Sequence, residues 1–120
     1  MAFRPLILFA GLALAPLAAH AQTVVTHSPM PPRPDGSAPA FSAAVTAGDT
    51  AYLSGVTDGG AALGGTPADA ARRALDGLKR NAEAAGLTMD DVVWVQVFST
   101  NLDDYAAFNE VYRGYFKGPL

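Results

Sequence analysis

Apolar residues recur at three- and four-residue steps in two stretches of the chain, and each stretch predicts an amphipathic helix. The first follows Thr66, a good N-cap, with Pro67 at the first helical position and Asp69 placed to complete a capping box. Gly86 is the expected stop. The charged residues fall largely off the apolar stripe and predict a solvated face. The stripe consists of Ala71, Ala74, Leu75, Leu78, Ala82 and Ala85.

The second stretch begins after Asn101, which is predicted to cap it, with Asp103 and Asp104 in a first turn where the helix dipole favours anions. Gly118 and Pro119 are expected to end this helix. We interpret its aromatic stripe as core packing rather than as a surface that stacks on a ligand. The stripe consists of Tyr105, Phe108, Val111, Tyr112, Tyr115 and Phe116.

Three stretches predict β-strands. Residues 41–47 and 50–55, joined by a turn at Gly48, indicate a hairpin. Residues 92–100 are almost continuously apolar, which is typical of a strand covered on both faces. The glycine-rich stretch at 58–65 predicts a connector and contains no phosphate-binding motif.

The predicted order of elements is β-β-α-β-α, which defines an α+β fold. Two amphipathic helices need a sheet broad enough to cover both stripes, and three strands, two of them short, are too few. We therefore expect the last strands of this fold to be missing after Leu120.

The first 21 residues predict a secretory signal peptide. Arg4 supplies the positive charge, residues 6–18 form the apolar segment, and Ala19-His20-Ala21 is a signal-peptidase site. A membrane anchor is disfavoured, because the uncharged run is shorter than the roughly 20 residues that a bilayer requires. We expect a periplasmic or secreted protein with no membrane association after cleavage. Residues 22–38 are proline-rich and predict an extended leader.

The amino-acid composition excludes or disfavours several classes of partner and of catalytic site. Eight Lys+Arg against eleven Asp+Glu give a net charge of −3, which disfavours nucleic acid as a partner. The absence of cysteine excludes disulfides, thiolate nucleophiles and Cys-ligated metal sites. Both histidines, His20 and His27, lie outside the patterned region, which disfavours a histidine-based metal site or triad.

Five short motifs, none diagnostic alone, are together characteristic of one family because they occur in the same order along the chain. They are PAFS at 39–42, AGDTAYLSG at 47–55, AAGL at 84–87, DVVWVQVF at 91–98 and YAAFNEVY at 105–112. Together they resemble the RidA (YjgF-type) family, and the similar domain covers residues 39–120. The resemblance implies a chorismate-mutase-like fold and a homotrimer with ligand clefts between subunits. It also implies hydrolysis of small 2-imino or enamine acids to 2-keto acids and ammonia, without metal or cofactor.

The resemblance carries four substrate-binding residues over to this chain. Ser54 and Gly55 match the Ser-Gly pair that lines the family's cleft, and Asn109 matches the asparagine at the start of its last helix. Phe41 stands where the family usually has tyrosine, so the apolar wall is kept and the hydroxyl is lost. Val56 replaces a common glutamine. Without the resemblance, a strand-end hydroxyl, a turn glycine and a polar helix position explain Ser54, Gly55 and Asn109.

No catalytic residue is assigned within the chain. In the family, an arginine binds the substrate carboxylate through a forked contact and a glutamate positions the attacking water. Both belong to two C-terminal strands that would follow Leu120. Arg33 and Arg113 are the nearby candidates to replace the arginine, and their spacing favours neither.

Three functions stay open at this point. The first is an exported imine/enamine deaminase. The second is a member of the same family that binds a small carboxylate or carbonyl compound without catalysis. The third is a structural trimeric scaffold whose aromatic helix stripe forms an interface. Turnover of an imino acid separates the first from the others, and saturable ligand binding separates the second from the third.

Overall fold

The computed structural model of the protein describes residues 23–118, and the predicted signal peptide lies outside this part. The strands are β1 (Val25–Ser28), β2 (Ala44–Ala47) and β3 (Thr50–Leu53), and the helices are α1 (Pro67–Ala84) and α2 (Tyr105–Tyr112). Short 3₁₀ turns occur at Ala61–Leu63, Met89–Asp91 and Leu102–Asp104. The α+β class predicted from the sequence is confirmed. Between residues 23 and 118, no helix combines the length and the apolar character that crossing a bilayer requires.

The three strands form one antiparallel sheet in the order β1-β2-β3. The predicted hairpin is confirmed: Ala47 pairs with Thr50 beside the turn, and Ala44 pairs with Leu53 at the other end. Gly48 in the turn has a φ of 64°, a backbone conformation that residues with a Cβ atom rarely adopt. The hairpin therefore has a closed end at Gly48 and an open end beyond Ala44 and Leu53.

β1 lies within the stretch for which the sequence predicted only an extended leader. Val25 and Thr26 are β-branched and pair with β2, and the Ala43 N–H donates to the Ser28 carbonyl at 2.8 Å. Pro29 follows directly, and its missing N–H is compatible with the end of an edge strand. The proline-rich composition of residues 22–38 predicted an extended leader, and the short β-branched stretch before Pro29 was therefore not predicted as a strand.

The strand predicted at residues 92–100 is wrong for the described structure. These residues lie in no strand, and Val93, Trp94 and Phe98 are 86%, 71% and 86% exposed. An apolar, β-branched run favours extended backbone, but a strand also needs a neighbour that accepts and donates its backbone hydrogen bonds. Among residues 23–118, no strand pairs with this segment.

α1 begins and ends where the sequence predicted. The Asp69 N–H donates to the Thr66 hydroxyl at 3.2 Å, and the Thr66 N–H donates back to the Asp69 carboxylate at 2.9 Å, which completes the capping box. The hydrogen bonds from the Thr66 backbone and hydroxyl hold the pKa of Asp69 below its usual value, because they stabilise the charged carboxylate. Gly86, with a φ of 74°, follows the C-cap as expected.

The core lies between the two helices and the 3₁₀ turn that follows α1. Leu75, Met89 and Phe116 are its buried side chains, and the Tyr112 and Phe116 rings contact each other in a tilted arrangement with centroids 4.6 Å apart. The predicted aromatic stripe therefore packs in the core, although Tyr105 is 66% exposed. α2 packs against α1, and it ends at Tyr112, earlier than the sequence predicted.

Candidate functional site

The open end of the β2–β3 hairpin is held by Ser54, one of the predicted cleft residues. Its N–H donates to the Ala43 carbonyl at 2.9 Å, which extends the hairpin by one hydrogen bond. Its hydroxyl donates to the Ser42 carbonyl at 2.6 Å in a partly buried position. Because the Ser54 proton is used inside the protein, the Ser54 Oγ can offer a ligand only its acceptor lone pairs.

His27 is part of the same end of the sheet. It lies in β1, and its Nδ1 is 3.2 Å from the Ser42 Oγ. This position corrects the prediction that both histidines lie outside the patterned region. His27 is exposed, and among the described residues no carboxylate hydrogen-bonds its ring, so the pair lacks the third group that orients a catalytic histidine.

Helix α1 contacts the segment that follows β3 at two positions one turn apart. The Asn81 Nδ2 donates to the Ser54 carbonyl at 3.0 Å, and Asn81 is only 7% exposed. Gly77 approaches Val56 so closely that a Cβ at Gly77 would lie 3.2 Å from the Val56 Cγ1 atom. Residues 54–56 are thus seated against the helix, which fixes their backbone relative to it.

Asn81 contacts the candidate site through the Ser54 carbonyl, and the sequence did not predict this contact. Asn81 follows Leu78 by three residues and lies on the same apolar stripe. A polar residue on a buried helix face needs a hydrogen-bond partner, and that was the signal available in the sequence.

Arg73 departs from the predicted solvated face of α1. Its Nε donates to the Asp58 carbonyl at 2.7 Å, and its Nη2 donates to the Gly64 carbonyl at 3.1 Å. The guanidinium thereby ties both ends of the glycine-rich connector to the helix. Two hydrogen bonds from one rigid, charged fork hold the connector in a defined position.

The structure brings three of the four predicted substrate-binding residues together. Phe41 directly precedes Ser42, whose carbonyl accepts from Ser54, and Gly55 follows Ser54. Phe41 is 58% exposed and Gly55 is also exposed, so both are accessible at the open end. Asn109 lies half-buried on α2, and no hydrogen bond in the described part of the chain joins it to the other three.

Two shallow grooves lie elsewhere on the described surface. One separates α1 from α2 and is lined by Arg72, Glu110 and Tyr115, among others. The Tyr115 hydroxyl donates to the Asp76 carboxylate at 2.7 Å, and this hydrogen bond raises the Tyr115 pKa above its usual value. The other groove lies beside the 3₁₀ turn after α1, around Met89. Neither groove includes a predicted substrate-binding residue.

The described residues offer few groups for a metal or for a substrate carboxylate. Between residues 23 and 118, no three His, Asp or Glu side chains cluster in a way that could hold a metal ion. Arg33 donates to the Ser37 hydroxyl at 3.4 Å and to the Ala38 carbonyl at 3.3 Å, so its guanidinium is engaged within its own loop. Arg113 is exposed just after α2.

Comparison of the fold with solved structures establishes the structural class. The chain is similar to the crystal structure of a candidate endoribonuclease from Thermotoga maritima, with a TM-score of 0.57 and 36% sequence identity. The match covers 64% of this chain and 64% of the Thermotoga chain, so the chain spans slightly less than two thirds of that protein. The sheet and helices described above therefore belong to the chorismate-mutase-like α+β fold.

Comparison of sequences then gives the family. The family described as Endoribonuclease L-PSP matches residues 32–120. A 2-iminobutanoate/2-iminopropanoate deaminase from Dermatophagoides farinae is 34% identical over 100 residues, which cover 80% of this chain and 76% of that protein. A RutC family protein from Pyrococcus horikoshii is 34% identical over 89 residues, covering 71% and 68%. The chain belongs to the RidA family, whose sequences carry the Endoribonuclease L-PSP description.

Proposed function

We propose that this protein is a RidA-type deaminase that hydrolyses reactive 2-imino acids to 2-keto acids and ammonia. The observation that carries the proposal is the 34% identity, over 80% of this chain, to a 2-iminobutanoate/2-iminopropanoate deaminase. The position of Phe41, Ser54 and Gly55 at the open end of the hairpin supports the proposal. Phe41 and Gly55 are exposed there, and the partly buried Ser54 directly precedes Gly55, so a small substrate can reach this end.

The proposed reaction is a hydrolysis without oxidation or reduction. Water adds to the C2 carbon of the imine, the carbon–nitrogen bond breaks, and nitrogen leaves as ammonia while the oxygen of water becomes the keto oxygen. In this chain, the exposed Phe41 ring supplies an apolar wall for the substrate side chain. The Ser54 Oγ accepts a hydrogen bond from the imine nitrogen, since its own proton is held by the Ser42 carbonyl.

We further propose that the site is completed in a homotrimer, as the family resemblance implies. Phe41 and Gly55 are exposed in the single chain, so a neighbouring subunit could cover them and exclude water from the cleft. Light scattering on the purified protein measures its molar mass in solution. A molar mass three times that of the chain would support this assembly, and a molar mass equal to that of one chain would contradict it.

The proposed location is the periplasm or the exterior of the cell. Residues 1–21 carry the positive, apolar and small-residue regions of a signal peptide. A mature protein whose N-terminal residue is Gln22 supports export, and an uncleaved Met1 contradicts it.

Two features favour a second candidate, a family member that binds a small keto or carboxylic acid without hydrolysing it. Phe41 lacks the hydroxyl of the tyrosine usual at this position, and the Ser54 proton is engaged inside the protein. The open end therefore provides an apolar wall and hydrogen-bonding groups but no ionisable side chain that we assign as a base. An endoribonuclease activity, suggested by the family description, is disfavoured by the net charge of −3.

A turnover assay tests the proposed reaction. 2-Iminobutanoate is generated from 2-aminobutyrate by an amino acid oxidase, and its decay to 2-oxobutanoate is followed with and without the purified protein. We expect hydrolysis several-fold above the spontaneous rate, because the site orients the imine although no general acid or base is assigned among the described residues. Phe41→Ala should lower this rate, whereas Phe98→Ala should not, because it removes a still more exposed ring from a segment without an assigned role.

The outcomes separate the three functions. Decay at the spontaneous rate contradicts the deaminase proposal. Saturable binding of 2-oxobutanoate without turnover then favours the binding member. Neither turnover nor binding favours the structural scaffold.

A further inference from the structure

Asn81 is the only buried polar side chain among the described residues, and it is placed where an apolar side chain would suit the helix face better. Burying an amide is unfavourable unless it is hydrogen-bonded. The Asn81 Nδ2 makes that bond to the Ser54 carbonyl at 3.0 Å. Leu78 and Ala82 on the same face pack without such a requirement. What asparagine adds at this position is therefore a directed contact with one backbone carbonyl.

The bonded carbonyl fixes the direction of a second backbone group. The Ser54 carbonyl and the Gly55 N–H belong to one peptide unit, and the described chain has no cis peptide bond. In a planar trans peptide the carbonyl and the N–H point in opposite directions. Since Asn81 holds the Ser54 carbonyl toward α1, the Gly55 N–H points away from the helix. Gly55 is exposed, and no acceptor for its N–H occurs among residues 23–118.

Neighbouring contacts make this orientation specific. On one side of the peptide, the Ser54 N–H and hydroxyl are bonded to Ala43 and Ser42. On the other side, Gly77 lets α1 approach Val56 closely. The backbone is thus held before and after the peptide, and the Asn81 bond determines how the peptide between them is turned.

We infer that Asn81 is a positioning residue: it turns the Ser54–Gly55 peptide so that the Gly55 N–H donates to a carbonyl or carboxylate oxygen of a small 2-keto or 2-imino acid. This inference rests on the proposed function for the identity of the ligand. It adds a residue on α1 that does not touch the ligand but sets the direction of a group that does. A backbone donor held in advance binds without the entropic cost of ordering it.

Two measurements on Asn81→Leu in the full chain test the inference. The first is the affinity for 2-oxobutanoate, which we expect to fall about tenfold, the loss expected when a ligand hydrogen bond is misaligned. The second is the ¹⁵N chemical shift of Gly55, which reports the hydrogen bond accepted by the preceding carbonyl and should change in the variant without ligand. Asn81→Ala, which removes the donor without adding bulk, serves if the leucine variant does not fold.

The matched control is Leu75→Ala, which weakens the core on the same helix without contacting the Ser54–Gly55 peptide. Measured where all variants are folded, it should keep the wild-type affinity and the wild-type Gly55 shift. Equal weakening by both variants, or an unchanged Gly55 shift in Asn81→Leu, overturns the inference. If the wild-type protein does not bind 2-oxobutanoate, the proposed function fails, and the Gly55 shift alone then decides whether Asn81 orients the peptide.

Discussion

Replacing Leu75 with alanine is expected to lower the free energy of unfolding by about 2–5 kcal/mol. Leu75 is 4% exposed and is the buried residue that α1 contributes to the core cluster with Met89 and Phe116. Truncation removes apolar surface and leaves a cavity between the helix and the segment after α2. Chemical denaturation followed by circular dichroism measures the change.

Leu102 provides the control for this prediction. It is 77% exposed, so Leu102→Ala should change the free energy of unfolding by no more than about 0.5 kcal/mol. Equal losses for the two variants would show that the cluster around Leu75 is not the core of the folded protein.

Introducing a β-branched side chain at Gly77 is expected to cost about 1–3 kcal/mol of stability. A Cβ at this position would lie 3.2 Å from the Val56 Cγ1 and 3.3 Å from the Val56 Cβ, closer than ordinary van der Waals contact. Gly77→Val should therefore push α1 away from residues 54–56, although valine is a better helix former than glycine. Denaturant unfolding measures the loss.

Two further variants isolate the contact with Val56. Lys79→Val places the same side chain at an exposed position of α1 and should have a much smaller effect. Val56→Ala combined with Gly77→Val should recover part of the stability, since the smaller side chain relieves the contact. A Gly77→Val protein as stable as the wild type would mean that the helix does not lie against this segment.

The sequence predicted best those elements whose signals are local. The start of α1 is specified by Thr66, Pro67 and Asp69 within four positions, and its end by Gly86, and the structure confirms all of them. The hairpin turn is similarly specified by Gly48. Such signals work because each group bonds to backbone only a few residues away.

Predictions that depend on distant partners failed. The run at residues 92–100 has strong β-propensity, but in the described structure no strand lies beside it. β1 was missed because its role depends on pairing with β2, across a proline-rich stretch that predicts irregular structure. Strand formation is decided by the neighbour, which propensity and periodicity do not identify.

In the candidate site, too, residues close in sequence were predicted and contacts between distant residues were not. Phe41, Ser54 and Gly55 were assigned through the family resemblance, and the hairpin brings them to one end because they flank its paired residues. Asn109 was assigned in the same way, but it lies on α2, which packs on α1. Asn81 escaped prediction because its role depends on where Ser54 lies after folding.

Binding of the reaction product at the open end of the hairpin is the most direct test of the site proposed here. Titration of ¹⁵N-labelled protein with 2-oxobutanoate should produce saturable shift changes in the backbone amides of residues 41–43 and 54–56. Saturable changes confined to the groove between α1 and α2, around Arg72, Glu110 and Tyr115, would contradict the account. So would the absence of saturable changes anywhere in the chain.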